Sequence, residues 1–122
     1  MDALKAELLA NAEMINGTEF IAAQLDLDAK TAKDLAFSLN DRPGSRFILF
    51  VTLSEDKVNL SLMLSDDLVK EKGMHAGNLI KELAREISGG GGGQAQFATA
   101  GGIDARGIPK VLERAKQIVA NL

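Results

Sequence analysis

Five consecutive glycines, Gly89 to Gly93, constrain the fold of this 122-residue chain more than any other stretch. Glycine loses more backbone freedom on folding than any other residue, so such a run opposes order. It is tolerated where the backbone takes angles closed to other residues, or where another group must come very close. A flexible linker is the plainest use of such a composition. The neighbouring residues argue otherwise. A helical pattern from His75 to Ser88 leads into the glycines, and a short strand, Gln96 to Ala100, follows them. The pair Gly101-Gly102 then releases the chain into a last helix. That strand and helix are too short to form a domain alone, so they must return to the preceding core. The glycine-rich loop 89–93 therefore belongs inside the domain.

Met1 to Ala12 places Leu4, Leu8 and Ala12 at helical spacing and has no N-cap of its own. Residues 1–16 read as the end of a coiled-coil or connector helix, stopped at Asn16-Gly17, and 17–122 as one globular domain. Thr18 to Leu25 is mostly apolar and reads as a buried strand. Asp28 can cap a helix whose apolar stripe is Ala32, Leu35, Ala36 and Leu39, with Lys30, Lys33 and Asp34 on its wet side. Asp41-Arg42-Pro43-Gly44 breaks it. Phe47 to Val51 is continuously apolar, as in a central strand covered on both faces. After a turn at Ser54 to Lys57, Val58, Leu60, Leu62 and Leu64 alternate with Asn59 and Ser61. These two strands predict an antiparallel hairpin with the second nearer the edge, while the first strand reaches the second through a helix and can pair in parallel.

Ser65-Asp66-Asp67 opens a short helix ended by Gly73. The next helix buries Ala76, Leu79, Ile80, Leu83, Ala84 and Ile87, and carries Asn78, Lys81 and Arg85 in a polar line that runs into the glycines. Ile108 to Leu122 is a last amphipathic helix with Pro109 in its first turn. The fold class is α/β (α+β): a small mixed β-sheet packed with helices and preceded by a connector helix.

Composition narrows the chemistry. There is no cysteine and one histidine, which excludes disulfides and thiolate catalysis and disfavours a zinc site. The net charge of −3 allows a local basic patch but no chain-wide grip on nucleic acid. Trp and Tyr are absent, removing the usual platforms for stacked bases. No stretch approaches the ~20 apolar residues that span a bilayer, and no signal-peptide layout opens the chain, so a cytoplasmic location is expected. The glycines match neither phosphate-binding fingerprint: a P-loop needs a lysine followed by Ser or Thr, and a dinucleotide loop opens a helix rather than following one. What remains is bare backbone offered to a broad surface such as RNA, or a helix C-cap combined with close strand packing.

His75-Ala76-Gly77-Asn78-Leu79-Ile80-Lys81-Glu82, followed by Gly89 to Gly93 and by Ala98-Thr99-Ala100-Gly101-Gly102, closely resembles the C-terminal domain of bacterial alanyl-tRNA synthetases, a member of the DHH-associated superfamily. The resemblance covers nearly the whole chain. It departs at Gln94-Ala95-Gln96, where the family usually has Arg-Pro-Asp, and at Thr99, where it has Gln. The resemblance implies a tRNA-binding domain that holds the outer corner of tRNA-Ala, and a possible homodimer. The residues themselves suggest the contacts: bare backbone at Gly90, Gly91, Gly92 and Gly93 with Gln94 beside it, and Asn78, Lys81 and Arg85 reaching neighbouring phosphate and ribose oxygens. It implies no catalytic residue, cofactor or metal within these residues, and no DNA or membrane partner. ATP and magnesium for alanine activation, and zinc for editing, belong to other domains of a parent ligase.

Each residue also has a plainer use. Lys81 and Arg85 suit a solvated face shared with Glu82 and Glu86. His75 suits a helix start that bonds the backbone. Phe97 suits either a stacked base or the core, and Gln94, Gln96 and Thr99 suit bonds to loop amides. Two other functions compete with tRNA holding: the substrate-binding domain of a DHH-type phosphoesterase, whose loop typically has histidine where this chain has Gln94, and a module that only dimerises its parent.

Overall fold

The apolar run at Phe47–Val51 lies at the centre of a six-stranded sheet, and a computed structural model describes residues 2–122 around it. In chain order the elements are α1 (Asp2–Ala10), β1 (Glu13–Ile15), β2 (Thr18–Leu25), α2 (Ala29–Asn40), β3 (Arg46–Ser54), β4 (Lys57–Leu64), α3 (Asp66–Lys70), α4 (Ala76–Ala84), β5 (Gly90–Gly93), β6 (Phe97–Gly102) and α5 (Ile108–Ala120). Single 3-10 turns follow α4 at Arg85–Ile87 and precede α5 at Ala105–Gly107. The strand order is β1-β2-β3-β4-β6-β5, with β2 parallel to β3 and every other pair antiparallel. The chain is thus α/β with a mixed sheet, as its sequence predicts. Met1 of the expected first helix lies outside the described residues.

Strand alternation divides the core between two faces. Phe47, Leu49 and Val51, with Val58, Leu60, Leu62 and Leu64, meet α3, α4 and α5. Ile48, Phe50 and Met63 meet α1 and α2 on the opposite face. The α2 stripe Ala32, Leu35, Ala36 and Leu39 is buried throughout, and Asp28 caps the helix through a 2.7 Å bond from the Thr31 N–H. At the start of β3, Arg46 is 3% exposed and is held by Glu19 at 2.6 Å, which also takes Arg42 at 2.7 Å. Burial alone would raise the Glu19 pKa, but the hydrogen bonds and charges of Arg46 and Arg42 outweigh it and hold the carboxyl below its ordinary range.

Three expectations are revised. The hairpin partner β4 is not near the edge: β6 lies against it, pairing Leu60 with Ala100 and Leu62 with Ala98, so β4 is interior. That explains why its Val and Leu residues are sealed. Asn16-Gly17 does more than stop a helix. Both residues have positive φ, 52° and 79°, which is what a two-residue hairpin turn requires, and they join β1 to β2. The Asn16 amide also donates to the last carbonyls of α5, at 2.6 Å to Ala120 and 3.3 Å to Val119. Finally, the glycines are not a loop. Gly90–Gly93 is the outermost strand, pairing with β6 from Gly90 opposite Gly101 to Gly93 opposite Ala98.

Candidate nucleic-acid interface

The start of α4 is docked onto the turn between β5 and β6. The Ala76 N–H donates to the Ala95 carbonyl at 2.8 Å and the Gly77 N–H to the Gln94 carbonyl at 3.0 Å. The His75 ring accepts the Asn78 N–H at Nδ1, 3.1 Å, and the Leu79 N–H reaches the His75 carbonyl. His75 is therefore a helix-start residue bonding the backbone. The four amides that a helix start normally leaves open are all satisfied, so this helix start has no free amide for an anion. The turn itself is held through backbone atoms: the Gln94 N–H donates to the Phe97 carbonyl and the Leu64 N–H to the Gln96 carbonyl.

Close approach explains alternate glycines of the run. A Cβ on Gly91 would lie 2.5 Å from the Ala100 Cα, one on Gly93 2.6 Å from the Ala98 Cα, and one on Gly89 2.6 Å from the Gly102 Cα. Across the interface with α4, a Cβ on Gly77 would lie 2.5 Å from the Gly93 carbonyl oxygen. These distances are all well below van der Waals contact. Gly90 and Gly92 differ. A Cβ on Gly90 would meet nothing within 4 Å, and one on Gly92 would meet only the flexible Lys81 stem, at 3.3 Å from Cε. The fold requires bare backbone at 89, 91 and 93 and does not require it at 90 or 92.

Asn78, Lys81 and Arg85 are all exposed, and the Lys81 stem lies beside the glycine strand. Glu82 does not neutralise them; it turns to α5 and ion-pairs with Arg114. Arg106 is likewise committed to Asp104 at 2.9 Å, and that bond holds the Asp104 carboxyl below its ordinary range. Among the described residues, no ion pair engages Lys81 or Arg85. Gly90, Gly91, Gly93 and Gln94 are exposed with them and Gly92 is half-buried; because α4 packs along β5, these residues lie on neighbouring elements at one edge of the sheet. Chain order did not disclose that Lys81 would reach Gly92, or that Arg114 would remove Glu82. Among the described residues no group of three or more His, Cys, Asp or Glu side chains is placed to hold a metal, and no helix is long and apolar enough to cross a membrane.

Residues 17–121 match the family described as the DHHA1 domain, and the chain belongs to it. Its region of similarity among larger proteins is the C-terminal part of alanine–tRNA ligases. The ligase of Christiangramia forsetii is 42% identical over 116 residues, which are 95% of this chain and 13% of that protein. The chain thus spans only a small part of the curated relatives it matches. Two solved structures share the fold. The C-Ala domain from Aquifex aeolicus alanyl-tRNA synthetase superposes with a TM-score of 0.81 at 22% identity, covering 90% of this chain and 98% of that one. A DHH-domain protein from a family of ribosomal proteins superposes with a TM-score of 0.70 at 14% identity, covering 99% and 31%.

Proposed function

We propose that this domain holds the outer corner of tRNA-Ala for an alanine–tRNA ligase of which it forms the C-terminal part. The observation that carries the reading is the glycine edge, exposed at Gly90, Gly91 and Gly93 and bare at Gly90 where the fold has no need of it, with Lys81, which no ion pair engages among the described residues, lying beside Gly92. A flat surface of stacked loop bases can approach such a backbone without side chains intervening. Asn78, Lys81 and Arg85 would reach neighbouring phosphate and ribose oxygens. The contribution is avidity rather than chemistry: holding the tRNA body raises the effective concentration of its acceptor end at active sites elsewhere in the parent, where ATP, magnesium and zinc would act. In this reading α1 ends the connector to those domains, and the setting is cytoplasmic.

The test is a titration of the 122-residue chain with a tRNA-Ala transcript, comparing wild type with Gly90→Leu and Lys81→Ala. Leucine at 90 has room at its Cβ, so the domain should stay folded by circular dichroism while binding weakens at least tenfold. Unchanged affinity in a folded Gly90→Leu variant would refute the edge as the contact. Sedimentation of the same protein separates the assembly reading: a dimer that ignores tRNA supports assembly and rejects tRNA holding.

A further inference from the structure

The opposite face of the same edge carries a feature that neither the family assignment nor the proposed site accounts for. Phe37 lies off the buried stripe of α2 and is 48% exposed. Its ring packs against Phe97 at 5.2 Å between centroids, inclined by 59°. The Lys33 ammonium sits over both rings, 5.8 Å from Phe37 and 5.3 Å from Phe97. No carboxylate pairs with Lys33 among the described residues. Phe97 is joined to Gln94 by the 2.9 Å bond from the Gln94 N–H, so this cluster and the glycine edge are separated by one hairpin turn.

We infer that Lys33, Phe37 and Phe97 form a second RNA contact, where an unpaired base stacks on the open face of Phe37 and a flanking phosphate meets Lys33. The inference rests on the tRNA reading of the glycine edge and extends it round the sheet. An exposed ring beside an unneutralised ammonium offers both halves of what a nucleotide presents, a π face and an anion. A purely apolar partner would leave the ammonium desolvated and unpaired, which is costly. The orientation also follows. Beyond Phe37 lies a hollow lined by Asp41, Asp66 and Asp67, whose one lining cation, Arg42, is already paired with Glu19, so it disfavours phosphate, whereas Lys30 stands one turn before Lys33. Asp34, the remaining acid near the cluster on α2, is set roughly 100° round the helix from Lys33. The phosphate therefore belongs on the Lys33 side of the ring.

Phe37→Ala, Phe37→Tyr and Lys33→Ala variants of the 122-residue chain are titrated with a tRNA-Ala transcript at several salt concentrations, with Lys81→Ala as the comparison. Phe37→Ala should weaken binding roughly tenfold or more without changing the salt slope, and Phe37→Tyr should restore it, because a stacked base needs a ring. Lys33→Ala should lower the slope by about 0.7–0.9, the share of one neutralised phosphate. If Lys81→Ala weakens binding while Phe37→Ala does not, the second contact is refuted and the corner reading stands. Equal weakening by Phe37→Ala and Phe37→Tyr also refutes it. Failure of the wild-type chain to bind the transcript overturns both readings.

Discussion

Alanine placed at Gly91 and at Gly90 should move the stability of this domain in opposite directions. At Gly91 the new Cβ would lie 2.5 Å from the Ala100 Cα and 2.6 Å from its Cβ. Carbon atoms pack best at about 3.5–4.0 Å, so β5 and β6 would have to separate by roughly 1 Å. The obstructing atoms belong to the backbone and a methyl group, and no rotamer can relieve them. Overpacking of this kind costs about 1–3 kcal/mol. Removing a glycine from the unfolded chain returns about 0.4–1 kcal/mol, which leaves a net loss of up to about 2.5 kcal/mol. At Gly90 nothing lies within 4 Å of the Cβ and φ is not in the left-handed region, so only the favourable term remains. The two variants should differ by about 1–3 kcal/mol, or on the order of 5–15 °C in melting temperature for a chain of this size. Thermal and urea unfolding followed by circular dichroism measure the difference. Equal midpoints, or a less stable Gly90→Ala, would show that the run is not divided into required and unrequired glycines.

Two further substitutions probe the frame that positions the edge. Asn16→Asp removes both amide donations to the end of α5 and puts a negative charge near carbonyls already at the negative end of that helix; urea titration should show a loss of about 1–2 kcal/mol. Asn16→Gly keeps the turn geometry and should cost less. Glu19→Gln strips the counter-ion from nearly buried Arg46 and should cost about 1–3 kcal/mol at neutral pH, below the full value for a buried pair because Glu19 and Arg42 are partly solvated. The same carboxyl has a folded pKa below its unfolded one, as do Asp28, Asp67 and Asp104. Their stabilisation is present above the unfolded carboxylate range near 4 and is lost as pH falls through the folded values. Melting temperature should accordingly drop on acidification below about pH 4, and Glu19→Gln should flatten that drop.

Much of this frame was legible in the chain. The continuous apolar run at Phe47–Val51 can be buried only on both faces, and Asp28 ahead of the stripe Ala32, Leu35, Ala36, Leu39 specifies a capped amphipathic helix. Those signals are local, whereas the sheet order is not. Nothing near β4 announces that β6 will lie beside it, because that pairing is chosen by the small Ala98 and Ala100 meeting Leu62 and Leu60 across the sheet. Glycine is among the weakest strand formers, so Gly90–Gly93 reads as a loop; pairing with β6 and docking by α4 make it a strand. β1 has only three residues and takes its register from the Asn16-Gly17 turn. At the site, the spacing of Asn78, Lys81 and Arg85 placed them on one line. That no ion pair engages Lys81 or Arg85 among the described residues goes with Arg114 reaching Glu82 from another helix. Lys33 and Phe37 sit outside the buried stripe of α2, where single residues carry no signal until Phe97 is brought against them.

Contact between the glycine edge and the outer corner of tRNA is read out by backbone-cleavage footprinting of a tRNA-Ala transcript with the 122-residue chain. Protection should be confined to the interacting loops at that corner and weakened in Gly90→Leu, with the acceptor end cut as in free tRNA. Protection of the acceptor stem instead of the corner, or a corner footprint unchanged in folded Gly90→Leu, would contradict it.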